Sequence, residues 1–177
     1  MSLMSSKQNA RHLYLLRHAK SAWPDGMDDH DRPLAERGRK AAPLIAAFMA
    51  DHKIRPDLAL VSTARRTQET WDLLAASLPK APTKRDAADL YEADASAIAT
   101  LLRSIDPSVE SLLVIGHNPG LQDFALDLVG GGDLGARTRM AEKFPTAGLA
   151  VIRVKAWQTL LPSSGHLESF VTPRMLG

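Results

Sequence analysis

Apolar residues fall along the chain in short unbroken blocks that stop abruptly at polar or titratable residues. Leu13–Leu16 ends at Arg17-His18, Leu58–Val61 at Ser62-Thr63-Ala64-Arg65-Arg66, and Leu112–Ile115 at Gly116-His117-Asn118-Pro119. Blocks of this kind, bounded by turn formers, predict strands buried on both faces, as in a parallel sheet. Leu149–Val154 and Leu167–Val171 predict two more strands. Between the blocks the spacing turns helical. Ala41, Leu44, Ile45, Phe48 and Met49 recur at i, i+3, i+4, i+7 and i+8, with Pro43 predicting a start or kink nearby. Thr67, Trp71, Leu74 and Leu78 mark a second helix, and Ile98, Leu101, Leu102 and Ile105 a third. Leu121, Phe124, Ala125, Leu128 and Val129 mark a fourth, with Pro119 at its first position.

Strands alternating with helices predict an α/β fold: a three-layer α/β/α sandwich on a mostly parallel sheet. In such sheets ligands bind in the crevice at the carboxyl ends of the strands. Here three strands each deliver cationic or titratable residues to that end. Arg17, His18, Arg65 or Arg66, and His117 would surround one small volume with positive charge and hydrogen-bond donors. Guanidinium groups match phosphoryl oxygens bidentately and stay charged. Helices starting after Ser62 and Asn118 would add free N–H groups and their positive ends. An anion with several oxygens fits best, and phosphate is the natural one. A neutral imidazole can attack its phosphorus covalently, and His18, at a strand end beside an arginine, is the candidate nucleophile.

Composition narrows the alternatives. Cysteine is absent from the 177 residues, which excludes disulfides, thiolate metal sites and a thiol nucleophile. No Gly-x-Ser-x-Gly elbow occurs. The formal net charge of +2 is too small and too dispersed to predict a nucleic-acid surface. No run approaches the roughly 18 apolar residues of a membrane span, so no membrane partner is expected. The first residues are polar and lack the apolar core of a signal peptide, so a cytoplasmic location is expected. Residues 1–10 read as a flexible tail and residues 11–177 as one domain.

At these residues the chain resembles the histidine phosphatase superfamily, of phosphoglycerate mutase-like fold, and within it the SixA-like phosphohistidine phosphatases. RHAKS stands where the family has Arg-His-Gly, with Ala19 in place of the glycine. DRPLAERG, from Asp31 to Gly38, resembles the segment that opens the first helix. STARRTQET, from Ser62 to Thr70, matches a pattern whose arginine lies four residues after the serine, which selects Arg66 over Arg65. VIGHNPGL, from Val114 to Leu121, matches the second-histidine motif.

The resemblance implies that His18 takes the phosphoryl group while Arg17, Arg66 and His117 bind its oxygens. Water then releases inorganic phosphate, and neither a metal nor a cofactor is required. Asn118 is a weaker candidate for substrate binding, its plainer role being to cap the following helix. The proton donor found in many esterase members has only a loose counterpart, Glu92 in LYEAD, and Pro24 stands where the mutases carry asparagine. A site short of an acid tilts the expected substrate toward a phosphorylated histidine in a protein. A small phosphorylated molecule hydrolysed with Glu92 as acid is the second reading. A phosphate- or phosphoprotein-binding module with little turnover is the third.

Other signals carry less. GGGDLG, Gly130 to Gly135, fits G-x-G-x-x-G but follows a helix rather than a strand, so a flexible loop is expected. The acidic run DGMDDHD, Asp25 to Asp31, reads as a solvated loop at the rim rather than a metal site. Trp23 is placed near the crevice, Trp71 and Trp157 in the core, and Gly116 where backbone approaches His117 closely. His12, His52 and His166 are expected at the surface or in structural roles.

Overall fold

A computed structural model of the chain describes residues 9–177; most of the expected N-terminal tail lies outside the described residues. Seven strands lie in one sheet: β1 (Arg11–Arg17), β2 (Leu58–Val61), β3 (Thr83–Asp86), β4 (Ser111–Gly116), β5 (Val129–Gly132), β6 (Leu149–Val154) and β7 (Gly165–Val171). Their order is β3-β2-β4-β1-β6-β7-β5. The pairs β3–β2, β2–β4, β4–β1 and β7–β5 are parallel, whereas β6 runs antiparallel to both β1 and β7. The sheet is therefore mixed but mostly parallel. Six helices accompany it: α1 (Glu36–Asp51), α2 (Arg65–Ser77), α3 (Ala95–Arg103), α4 (Gly120–Leu128), α5 (Leu134–Glu142) and α6 (Pro173–Leu176).

Alternation along the central strands separates two cores. Leu13, Leu15, Leu60, Leu112 and Val114 face one way and pack with residues of α3, α4 and α5 such as Ile98, Phe124 and Met140. Tyr14, Leu16, Val61, Leu113 and Ile115 face the other way onto α1 and α2 through Ile45, Met49 and Leu74. Successive side chains of a strand point to opposite faces, so an unbroken apolar block is what a strand covered on both sides requires. That is the three-layer sandwich. No described helix is long and apolar enough to cross a membrane.

The structure departs from expectation in several places. Helix α1 begins seven residues before Pro43 and runs through it. Pro43 therefore removes one internal hydrogen bond rather than starting the helix. Helix α4 starts at Gly120, with Pro119 as its cap residue. The glycines after Leu128 are not a loose loop: Val129–Gly132 is an edge strand, and the Asp133 carboxylate then caps α5 by accepting from the Ala136 amide at 2.7 Å. The other edge strand, Thr83–Asp86, is polar and exposed, a composition that discourages edge-to-edge pairing and hides the strand from hydrophobic pattern.

Two close approaches hold the loops around the strand ends. A Cβ on Gly38 would lie 2.1 Å from the Lys20 carbonyl oxygen, which ties α1 to the segment after β1. One on Gly120 would lie 1.9 Å from the Ala93 carbonyl oxygen, tying α4 to the Tyr91–Asp94 segment. Gly116, by contrast, has its nearest neighbour, the Leu121 side chain, at 3.8 Å, so its expected crowding is absent.

Candidate active site

Register fixes the site. In the adjacent parallel strands β2, β4 and β1, Val61 pairs with Ile115 and Arg17 with Gly116. The residues just past the ends are tied across the same gap: His18 N–H donates to the Gly116 carbonyl and Ser62 N–H to that of Ile115, each at 3.1 Å. His18, Ser62 and His117 therefore emerge at one level, above the sheet's carboxyl edge. A pocket of about 640 Å³ opens there, with Arg17, His18, Arg66 and His117 on its floor.

His18 is 6% exposed, and burial, opposed only in part by its hydrogen bond to Ala19, pushes its pKa down to about 3. Its Nδ1 lies 2.8 Å from the Ala19 carbonyl oxygen, an atom that can only accept. Nδ1 therefore carries the proton, and Nε2 keeps an unshared pair. Ala19 is itself anchored, its N–H donating to Thr70 Oγ1 of α2 at 3.0 Å. His117 is held from both sides. Its Nδ1 lies 3.3 Å from Arg66 Nη2, which can only donate, so Nε2 bears the proton and donates to Ser62 Oγ at 2.7 Å. Burial and the nearby Arg66 guanidinium push its pKa down to about 4. The two rings stand 5.3 Å apart.

Arg66 is 5% exposed and turned into the pocket, whereas Arg65 faces solvent and pairs with Glu69 at 3.3 Å. Arg17 donates to the Phe144 carbonyl at 3.0 Å, and burial plus the Arg66 charge push its pKa down. The Nε atoms of Arg17 and Arg66 are the two buried side-chain polar atoms left without a partner among the described residues. Leaving such a donor unmet costs on the order of 1–3 kcal/mol, more when charged. Two unmet guanidinium donors beside a pocket form a receptor for an anion.

Asn118 lines the same pocket, but its amide donates to the Phe144 carbonyl at 3.0 Å and accepts from the Gln122 N–H at 3.2 Å, the expected helix-end role. Glu92 stands at the pocket wall, exposed, with a left-handed backbone (φ 58°). Trp23 also lines the pocket; it is 72% exposed and stacked under the Arg32 guanidinium at 3.4 Å. Trp71 and Trp157 are buried.

The acidic run differs from the solvated loop that its composition predicts. Asp29 is not simply solvated. Its carboxylate accepts from Tyr91 Oη at 2.6 Å, Arg32 Nε at 3.0 Å and Arg66 Nη2 at 3.1 Å, while its carbonyl accepts from Arg66 Nη1 at 2.8 Å. The Tyr91 hydrogen bond, followed by the Arg66 charge, holds its pKa down to about 2. Tyr91, to which no sequence motif points, packs edge-on against both His30 and His117. Its place directly before Glu92 was the one available signal.

These values fix a pH response. A buried neutral histidine with a lowered pKa takes up its proton less readily folded than unfolded. Stability is therefore expected to fall as pH drops below about 6.5, until the folded pKa values are reached. Between about pH 8 and pH 5 the ring proton resonances of His18 and His117 should stay fixed in NMR spectra, where an ordinary imidazole titrates. A midpoint near 6.5 for either would contradict this geometry.

The chain belongs to the histidine phosphatase superfamily (branch 1), whose family model matches residues 13–107. Its place within that superfamily is the SixA-like branch. The protein assigned as phosphohistidine phosphatase SixA from Agrobacterium tumefaciens superposes with a TM-score of 0.79 at 31% identity, over 92% of this chain and 98% of that one. The corresponding protein from Nakamurella multipartitia gives 0.82 at 26%, over 93% and 97%. An uncharacterized protein of Mycobacterium tuberculosis is 40% identical over 162 residues, 90% of this chain and 100% of that protein. Fold and family are those of a phosphatase.

Proposed function

We propose that the protein hydrolyses phosphohistidine in a partner protein, by way of a phosphoryl group carried on His18. The observation that carries this reading is the pair of unmet guanidinium donors beside a neutral imidazole with a free Nε2 pair. That pair attacks phosphorus and forms a P–N bond as the bond to the leaving group breaks. Arg17 and Arg66 hold the phosphoryl oxygens as charge shifts onto them. The dianion also raises the proton affinity of His117. Protonated at Nδ1, which gives up its bond from Arg66 Nη2 as that guanidinium turns to the phosphoryl oxygens, it adds another donor while Nε2–H stays on Ser62. Water then attacks the phosphohistidine, phosphate leaves, and the His18 pair is restored. No step calls on a metal or cofactor.

The choice of leaving group rests on the lack of a suited acid. An alkoxide must be protonated as it departs, and general acid catalysis contributes roughly 10²–10⁴-fold. Asp29 is held ionised by three donors and cannot serve near neutral pH. Tyr91 spends its proton on Asp29, which pushes its pKa up to about 12. An imidazole leaving group is less basic than an alkoxide and needs less help. Glu92, on the pocket wall, favours a second reading, a small-molecule phosphomonoesterase with that carboxyl as acid.

A substrate panel separates the two. The wild type is expected to turn over a phosphohistidine peptide at a kcat/KM at least ~10²-fold above phosphoserine peptides and sugar phosphates, and Glu92→Gln should change the phosphohistidine rate by less than about tenfold. Preference for a sugar phosphate, with loss of ~10²-fold or more in Glu92→Gln, would install the esterase reading instead.

A further inference from the structure

The pocket is divided by charge. Its floor is cationic, and the buried Arg66, with its unpartnered Nε, marks where the phosphoryl group seats. The mouth is acidic. Glu92 precedes α3, Asp94 caps it by accepting from the Ala97 amide at 2.8 Å, and Asp123 sits in the first turn of α4. All three are exposed, and none forms an ion pair among the described residues. Gly120, pressed against Ala93, brings these two helix starts together, so the three carboxylates share one rim.

The cations at the mouth do not offset them. Arg32 is committed to Asp29 and, at 2.8 Å, to Ser21 Oγ, and it covers the Trp23 ring. Asp29 in turn is taken up by Arg66, Arg32 and Tyr91. Lys20 alone is exposed and without an ion-pair partner among the described residues lining the pocket. Over the whole pocket the four permanent cations Arg17, Lys20, Arg32 and Arg66 are matched by Asp29, Glu92, Asp94 and Asp123. A phosphoryl dianion tips that balance negative. A carrier with a further anion would meet three carboxylates and a single lysine, whereas a carrier with ammonium or guanidinium groups would meet free partners.

We infer that Glu92, Asp94 and Asp123 are specificity determinants that select a phosphoryl group borne on a cationic protein surface. The inference rests on the phosphatase reading above and deepens it. Like-charge juxtaposition excludes wrong partners, and complementary charge raises the encounter rate. The same rim disfavours bisphosphates and phosphorylated acids, which carry their second anion to the mouth.

The test uses two phosphohistidine peptides of one sequence, flanked by lysines in one and glutamates in the other. At low ionic strength the wild type should favour the lysine peptide in kcat/KM by on the order of tenfold or more. The ratio should shrink in high salt. In the double variant Asp94→Asn/Asp123→Asn, where asparagine keeps the α3 cap, the ratio should fall to within about threefold of unity. Equal turnover of both peptides by the wild type, or an unchanged ratio in the double variant, overturns the rim inference and leaves the phosphatase reading standing. Turnover of neither peptide overturns both.

Discussion

A His18→Asn variant is expected to lose roughly 10⁴-fold or more in kcat and to form no phosphoenzyme. The argument begins with the ring's surroundings. The imidazole is buried and neutral, with Nδ1 spent on the Ala19 carbonyl, so one atom, Nε2, is left to react. Asparagine keeps a polar group of smaller size at the strand end but offers no nucleophilic pair, because its nitrogen is an amide. What survives is binding and charge stabilisation by Arg17, Arg66 and His117, which without a nucleophile can act only on attacking water. Rapid-quench labelling with a radioactive phosphoryl donor checks the chemistry. The wild type should hold an acid-labile, alkali-stable label that maps to His18, and the variant none. Thermal unfolding checks the fold. The variant should also lose part of the acid sensitivity of the wild type, since the histidine with the more strongly lowered folded pKa is gone. Undiminished turnover by a folded His18→Asn protein would end the covalent reading.

The part of this site that is legible in the sequence is the part built by adjacent parallel strands. Leu13–Leu16, Leu58–Val61 and Leu112–Ile115 announce themselves as double-covered strands, and their carboxyl ends coincide in space because the register aligns Val61 with Ile115 and Arg17 with Gly116. Hence Arg17, His18 and His117 group from the strand pattern alone, together with Arg65 or Arg66, and the choice of Arg66 comes from the family motif. The edge strands were not legible for opposite reasons. Thr83–Asp86 has no apolar alternation because it lies exposed at the sheet's margin, and Val129–Gly132 is mostly glycine.

Nor was the Asp29–Tyr91–Arg66 cluster legible. Its members come from two loops and a helix, 37 and 62 residues apart along the chain. An aspartate within DGMDDHD gives no local sign that it, rather than its neighbours, will meet a guanidinium. Tertiary contact alone chooses it. The same holds for Gly38 and Gly120, whose need for close packing arises from chain segments far away in sequence.

The second large effect is expected at Arg17. Arg17→Met should lower kcat/KM by roughly 10²–10³-fold, in line with the ~3 kcal/mol lost when one donor aimed at developing charge is removed. Methionine fills much of the same apolar stem, so the loss isolates the guanidinium. Arg17→Lys should recover little of it, because a single ammonium cannot hold the Phe144 carbonyl and present a fork to phosphoryl oxygens at once. Stability provides the control that separates binding from structure. In the absence of ligand the half-buried Arg17 charge lies beside Arg66, and its buried Nε is unmet. Removing it should therefore leave Tm in phosphate-free buffer unchanged or higher. Added inorganic phosphate should raise the wild-type Tm by mass action, and this stabilisation should be lost in Arg17→Met. If the variant instead unfolds earlier while still gaining stability from phosphate, Arg17 is a strut for the Phe144 loop and the anion is held by Arg66 and the two histidines without it.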